Sequence, residues 1–434
     1  MKRRLAFCLM LCVPIPAAGA GVELSITQVF DLADRAAARG NTDQAIDILK
    51  VATQDRNADY RAEARVRIAR LLAWKGDLRG AIYWYRQLLD EQPEAAAVRI
   101  ELARALLSLG EEGAAAAELR RAEAVGLPRE VSRAIRNASD MLWSNRPFGA
   151  DLSLGLAPDT NINSATSSDT VTIFGLPFQL SDDGKANSGV GITFSADVVA
   201  RQRIGETSRL IIQAVATGRI YRDNRFNDIS YSISVGPELR ISPSVRLRPA
   251  AIIGRRIYGT DRLYSFHGLS GIGQVAVDAK SQVTIGGNWT DFHYDAERSG
   301  QSGPAYVGNV AYDRALSGRF SARGGLTLGR TRARDAQFST KSVSSDLTLS
   351  RDMGHWTLWT RGSFTRLWGD ADYAFLATRR NDRVIETEGG LIFRRISLFG
   401  LSPQARLAYT SATSPIFFFR YRRLRSELSL TKSL

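Results

Sequence analysis

From about residue 149 onward the chain repeats one pattern: apolar and polar side chains alternate, segment after segment, with turn residues between. Between residues 401 and 411, Leu401, Pro403, Ala405, Leu407 and Tyr409 form one series, and Ser402, Gln404, Arg406, Ala408 and Thr410 form the other. Successive side chains on a strand point to opposite faces, so each such segment is a strand with one apolar and one polar face. Val190, Ile192, Phe194, Ala196 and Val198 stand against Thr193, Ser195, Asp197 and Arg201 in the same way. So do Leu424, Leu428 and Leu430 against Arg425, Glu427, Ser429 and Thr431. About fourteen strands can be placed this way, starting near Gly149, Ser188, Thr207, Asn227, Val245, Arg262, Ser281, Pro304, Gly318, Lys341, His355, Arg383, Leu401 and Arg420.

Most of these segments run about ten residues or more, longer than soluble strands and long enough to cross a bilayer when tilted. A sheet edge in hydrocarbon leaves backbone groups unpaired at several kcal/mol each, so such strands must close on themselves. An even number closes into an antiparallel transmembrane β-barrel. Connections alternate between tight turns (residues 204–206 and 278–280) and longer ones (residues 295–304 and 370–382), as expected for periplasmic turns and surface loops. Trp289, Phe292, Trp356, Trp359 and Trp368 lie near strand ends and are expected to form interfacial girdles.

Composition narrows the rest. The 434 residues are 44% hydrophobic, which excludes general disorder, and carry a formal net charge of +14. The basic residues spread along polar strand faces. That fits an anionic membrane surface or an arginine-lined pore; no nucleic-acid partner is expected, since there is no recognition helix or aromatic-basic motif. Residues 1–20 read as a secretory signal peptide: Lys2, Arg3 and Arg4, an apolar core over residues 5–13, and the small residues Ala18, Gly19 and Ala20. Cys8 and Cys12 both lie inside it, and Met10 and Leu11 before Cys12 do not suit lipidation. Cleavage after Ala20 leaves a chain without thiols, working outside the cytoplasm without disulfides or thiolate metal sites.

Residues 21–143 form a helical domain, dominated by Ala, Leu, Arg and Glu with apolar residues at three- and four-residue spacing. Ala69, Leu72, Gly76, Ala81 and Tyr85 recur as Ala103, Leu106, Gly110, Ala115 and Leu119, and Gly40, Ala45 and Leu49 form an earlier, degenerate copy. Small residues let paired helices approach, glycine turns between them, and Pro93 and Pro128 close the units. This resembles the tetratricopeptide repeat, whose arrays bind peptide segments along a concave surface. Trp74, Tyr83, Trp84 and Arg86 are cargo-contact candidates; Tyr85 is expected in the repeat core, and core packing remains an alternative for Trp74 and Trp84. Composition changes at residues 143–147, so residues 144–434 are expected to form the barrel.

The first strand runs into Pro158-Asp159-Thr160-Asn161-Ile162-Asn163. A signal peptide, helical repeats, and a barrel opening on an Asp-x-Asn-x-Asn element together resemble the surface lipoprotein assembly modulator (Slam) family, type XI secretion outer-membrane proteins. Asp159, Asn161 and Asn163 match the family element. The resemblance implies an N-terminal tetratricopeptide-like domain in the periplasm and a barrel in the outer membrane. It further implies transport of client lipoproteins or secreted metal- or haem-acquisition proteins to the cell surface. Two features depart from it: the repeat region is short, and the chain ends in Leu434 where outer-membrane barrels most often end in Phe. Physically, the three polar side chains share a face if the segment is extended. They could bond backbone at the barrel mouth, or hold a hard cation, with turn chemistry the simpler account.

Enzyme chemistry is not expected. His267 and Ser270 are three apart, so on a regular strand they face opposite ways, and no Gly-x-Ser-x-Gly elbow occurs. Asp291, His293 and Asp295 share a face near a strand end and could hold a metal weakly; a loop-end polar cluster is the preferred reading. His355 is the third histidine. The expected function is an outer-membrane translocon without cofactor or metal. Its partners would be the client, periplasmic chaperones, outer-membrane lipid and the barrel-assembly machinery. Arg201, Arg219, Arg361 and Arg406 would line the polar pathway, or simply be solvated lumen charge. The alternatives are a polysaccharide exporter of the repeat-plus-barrel kind and a passive porin with a scaffold domain.

Overall fold

The computed structural model describes residues 24–125 and 147–432, apart from 167, 174–175, 243, 279, 354–355, 374–375 and 394–400. The signal segment with Cys8 and Cys12, the end of the helical region with Pro128, the composition break over residues 143–146, and His355 lie outside the described residues. The described residues fall into two compact units that divide inside one helix, between Ala64 and Arg65.

In the first unit α1 (Ile26–Ala38) and α2 (Thr42–Ala52) form a hairpin, and α3 (Ala58–Lys75) begins. Ser25 starts α1 with a reciprocal cap: its Oγ accepts from the Gln28 amide, and Gln28 Oε1 accepts from the Ser25 amide at 2.8 Å. Such a cap contributes about 1 kcal/mol. Ala45 and Leu49, read as repeat positions, are both buried.

In the second unit the rest of α3, α4 (Leu78–Glu91), α5 (Ala96–Ser108) and α6 (Glu112–Ala124) share one apolar core around Ala69, Ala81, Tyr85, Leu102, Ala103 and Ala115. Tyr85 is 2% exposed, as the repeat reading expects, and burial pushes its phenol up to about 12. Across both units Gly40, Gly76 and Gly110 occupy equivalent interhelical turns with φ of +81°, +89° and +84°. A side chain in that conformation costs about 1–2 kcal/mol, which is why the repeat keeps glycine there.

Among the described residues sixteen strands follow. They are β1 (Phe148–Asp159), β2 (Thr170–Ile173), β3 (Leu176–Gln179), β4 (Gly189–Arg203), β5 (Ser208–Tyr221), β6 (Asp228–Ser242), β7 (Val245–Tyr258) and β8 (Asp261–Asp278), then β9 (Ser281–Tyr294), β10 (Gly303–Ala315), β11 (Phe320–Thr331), β12 (Thr340–Asp352), β13 (Trp356–Tyr373), β14 (Thr378–Phe393), β15 (Leu401–Thr413) and β16 (Tyr421–Lys432). β1 pairs β4, each strand from β4 to β16 pairs the next, and β16 returns to β1, all antiparallel, so fourteen strands close a barrel. β2 and β3 form a separate hairpin in the loop after β1, which the alternation did not reveal.

The two series of each strand become two faces. On β1 the outward Leu152, Leu154 and Leu156 are exposed, while Ala157 and Asp159 on the other face are buried. On β16 Leu424 and Leu428 point outward, and Arg423, Arg425 and Glu427 share the inner face with their β15 partners Thr410, Ala408 and Arg406. An apolar exterior around a polar interior is the arrangement lipid requires. No helix among the described residues is long and apolar enough to cross a membrane.

Two expectations fail in detail. The connection read over residues 370–382 is only residues 374–377, because β13 and β14 run past a register shift and pair Asp372 with Arg379. The girdle also splits: Trp289, Trp356 and Trp368 face outward, but Phe292 pairs with Phe266 and Trp359 with Ser350 on the inner face. The face assignment predicts that Leu428→Arg weakens refolding into lipid vesicles by about 2–4 kcal/mol, whereas Ser195→Arg on the inner face changes it by less than about 1 kcal/mol. Denaturant titration followed by the heat-modifiable gel shift measures both.

Candidate functional site

The barrel has a short-turn end, where β1 begins and β16 ends, and helices α4–α6 of the same unit lie against it. Arg99 of α5 is 3% exposed and donates to the carbonyl oxygens of Pro93 (2.8 Å) and of Gly318 in the β10–β11 turn (2.6 Å). Gly318 leaves room for this: a Cβ there would meet the Pro93 oxygen at 2.8 Å. Glu118 of α6 accepts from Arg99 at 2.7 Å and from Arg121 at 2.6 Å, and Arg121 reaches Asp352 at the end of β12 at 2.9 Å. Burial works to lower the Arg121 pKa, but Glu118 and Asp352 outweigh it and the net shift is upward. Arg120 donates to Gln282 of β9, and Arg319 to the Asp90 carbonyl oxygen. A buried chain of alternating charge thus fastens two helices to the barrel rim. Sequence reading missed it, since the links from Arg99 to Gly318 and from Arg121 to Asp352 join residues more than two hundred positions apart.

Above α6 lies a lumen cavity of about 540 Å³, lined by Leu119 and Arg120 on one side and by Arg201, Arg209, Glu238 and Arg248 on the other. Its wall carries a relay across three strands: Arg248 donates to Gln213, and Gln213 donates to Asp197, at 2.8 to 2.9 Å. A second cavity of about 410 Å³ is lined by Arg219, Asp228, Arg256, Tyr264, Arg406 and Glu427, among others. All four arginines expected on the polar pathway are therefore on the inner face. Arg219 and Arg406 line one cavity; Arg361 and Arg406 share the Glu388 carboxylate; Arg201 stands apart beside α6. Arg361 and Arg406 are paired rather than simply solvated, because an inner wall of partly buried guanidinium groups needs counter-charges.

At the far end the Asp-x-Asn-x-Asn element closes the barrel seam. It is not extended: the chain turns after β1, and Ser164 takes φ +52°. The three side chains therefore do not line one strand face. Asp159 is buried under Arg423 of β16, with Oδ1 and Oδ2 at 3.0 and 2.9 Å from Nε. Asn161, 1% exposed, donates to the carbonyl oxygens of Ala165 and Arg422 and accepts from the Ala165 amide. Asn163 donates to the Lys185 carbonyl oxygen and accepts from the Asn187 amide. The three residues staple the loop of residues 160–188 onto the first and last strands, and these donors and acceptors are spent on protein partners. Asn161 and Asn163 thus bond backbone at the barrel mouth, while Asp159 pairs with a guanidinium.

Of the helical candidates, Trp74 is 78% exposed, Tyr83 is exposed with an edge contact to Trp84, and Trp84 packs partly against the helical core. Arg86 lies one residue after the buried Tyr85 on α4. On the barrel exterior Asp291 and His293 do share a face, but Asp295 pairs with Arg298 at 2.5 Å and is replaced beside them by His267 of β8. His267 and Ser270 lie on opposite faces, as their spacing requires.

A family described as surface lipoprotein assembly modifier matches residues 150–434. Surface lipoprotein assembly modifier 1 of Neisseria meningitidis serogroup B is 22% identical over 380 residues, covering 82% of this chain and 73% of that protein. The hemophilin secretion modulator of Acinetobacter baumannii is 24% identical over 213 residues, covering 45% of this chain and 42% of that protein. A Pseudomonas aeruginosa FadL homologue superposes with TM-score 0.40 at 10% identity, over 74% of this chain and 93% of that one.

Three substitutions test the two mouths. Glu118→Gln strips the shared carboxylate from Arg99 and Arg121; losing one partner of a buried pair costs about 3–5 kcal/mol, so amide exchange in α5 and α6 rises while β4–β9 stay protected. Asp159→Asn leaves Arg423 without its counter-charge, and the urea midpoint of the barrel falls while that of Asn163→Ala falls less.

Proposed function

Because the chain belongs to the surface lipoprotein assembly modifier family, we propose that it is a translocon moving client proteins, surface lipoproteins or secreted metal- or haem-acquisition proteins, from the periplasm to the cell surface. The protein is an outer-membrane barrel. Barrels of this kind place their short turns in the periplasm. The helices packed at that rim therefore belong to the periplasmic side, with residues 21–143 as the receiving domain and residues 144–434 as the channel.

The observation that carries the reading is the buried fastening of α5 and α6 to the short-turn rim. A client segment held by Trp74, Tyr83, Trp84 and Arg86 is then presented at the mouth of a polar lumen. Inside, Arg361 and Arg406 share Glu388 and Arg256 pairs with Asp228, with Arg219 and Glu427 on the same cavity wall, and such pairs can exchange partners with a passing chain. Exchange of one charge-assisted bond for another costs little, so the wall guides without trapping. Periplasmic chaperones deliver the client unfolded, the barrel-assembly machinery inserts the barrel, and folding of the client outside draws it through. The exposed apolar side chains of Trp74 and Tyr83 suit segments that a chaperone releases.

The test uses cells co-expressing a neighbouring lipoprotein. Removing residues 21–143 abolishes the protease-accessible fraction of that client at the surface, while the truncated barrel keeps its heat-modifiable migration. Wild-type display from a folded truncation overturns the receiving role. In liposomes the full chain admits small sugars at least tenfold more slowly than a porin of equal size; free passage would identify a passive pore.

A further inference from the structure

The chain has three histidines in 434 residues, and two of them stack on each other outside the lumen. His267 of β8 lies directly across from Asp291 of β9, and His293 is two residues further along the same outward face. The His267 and His293 rings are 5.5 Å apart with an interplanar angle of 26°, and His293 Nε2 is 3.7 Å from Asp291 Oδ2. One ligand atom from each of the three lies within 4.8 Å of the other two.

We propose that His267, Asp291 and His293 form a site for a divalent transition metal of the Zn2+, Ni2+ or Cu2+ class on the barrel exterior. Two imidazoles and one carboxylate are the donor set such ions prefer; Ca2+ and Mg2+ favour oxygen alone. Nitrogen and oxygen donors around one Zn2+ sit roughly 3.3 Å apart. Rotation of the two exposed imidazoles closes the gap, since the backbone register already holds all three on one face. Three protein ligands leave a position open, to be completed by oxygen from solvent. Trp289, also outward, sets the depth: it packs edge-on to His267 at 5.9 Å, one alternate position below Asp291 along β9. Aromatic residues mark the interface, so the triad lies at headgroup level toward the surface loops, where a hydrated ion is admissible. Antiparallel pairing also makes the two strands mutual supports, so the site is preorganised by the same ladder that holds the wall.

The experiment uses the full chain in detergent, purified without a polyhistidine tag and titrated calorimetrically with ZnCl2. Wild type takes up about one Zn2+ per chain with a Kd in the micromolar range, and His267→Ala and His293→Ala each weaken it at least tenfold. Asp291→Asn weakens it several-fold, and Ser265→Ala, on the same face, leaves it unchanged. Heat-modifiable migration identifies the variants that remain folded barrels. Absence of saturable Zn2+ uptake by folded wild type, or equal uptake by folded His267→Ala and His293→Ala, overturns the site.

Discussion

The structure depends on one closure: the last strand must bond the first. Within hydrocarbon an unpaired ladder loses several kcal/mol per group, so thirteen well-formed seams would not compensate for one open one. The closing ladder runs from Ser153 opposite Thr431 to Asp159 opposite Arg425, and it is shorter than the ladder β1 makes with β4 over Phe148–Asp159. Pro158 contributes to this: it has no N–H to give the seam. The polar staple stands beside that weak point. Asp159 holds Arg423 across it, Thr160 donates its amide to the Leu424 carbonyl oxygen, and Asn161 reaches the Arg422 carbonyl oxygen. A loop anchored on both sides of the seam converts a short ladder into a fixed one.

Closure also organises the interior. Once the ring is sealed, every inner side chain faces another, and an arginine-rich wall must supply its own anions. Glu388 serves Arg361 and Arg406 together; Asp228 serves Arg256; Glu238 serves Arg209. At the short-turn end the same rule extends to the helices, where Glu118 and Asp352 neutralise Arg99 and Arg121 across α5, α6 and β12 instead of within one wall. Helices α4–α6 are therefore seated through buried guanidinium groups and their carboxylate and carbonyl partners. That kind of contact is specific in register and costly to leave half-made.

The barrel was legible because period two is a strong signal when one face meets lipid: β7, β9 and β15 begin where the alternation starts, at Val245, Ser281 and Leu401. The start of β14 is hidden because Arg379, Arg380 and Asn381 read as loop, whereas Asn381 pairs with Trp368 and, beyond the bulge, Arg379 pairs with Asp372. Residue type points Trp359 to a girdle, although it is two positions from Arg361 and so shares its inward parity. The Asp-x-Asn-x-Asn element was legible as a motif at the junction, but not its turn or its partner Arg423, which lies 264 residues away. His267 joins Asp291 only through the register of the β8–β9 hairpin. Their equal distances from the turn before Ser281 were present in the sequence, yet no single-strand pattern displays them.

The closing register can be measured directly, since Cys8 and Cys12 both lie within the first twenty residues. Leu156 and Leu428 are opposed across the β1–β16 seam. With cysteine at both positions, mild oxidation of isolated outer membranes is predicted to give a near-quantitative disulfide, seen as a changed migration on a non-reducing gel. Cysteine at 156 and 429, one step out of register, is predicted to give little. Efficient bonding of the offset pair, or none by either pair in a folded barrel, would contradict the sealed ring from which the rest follows.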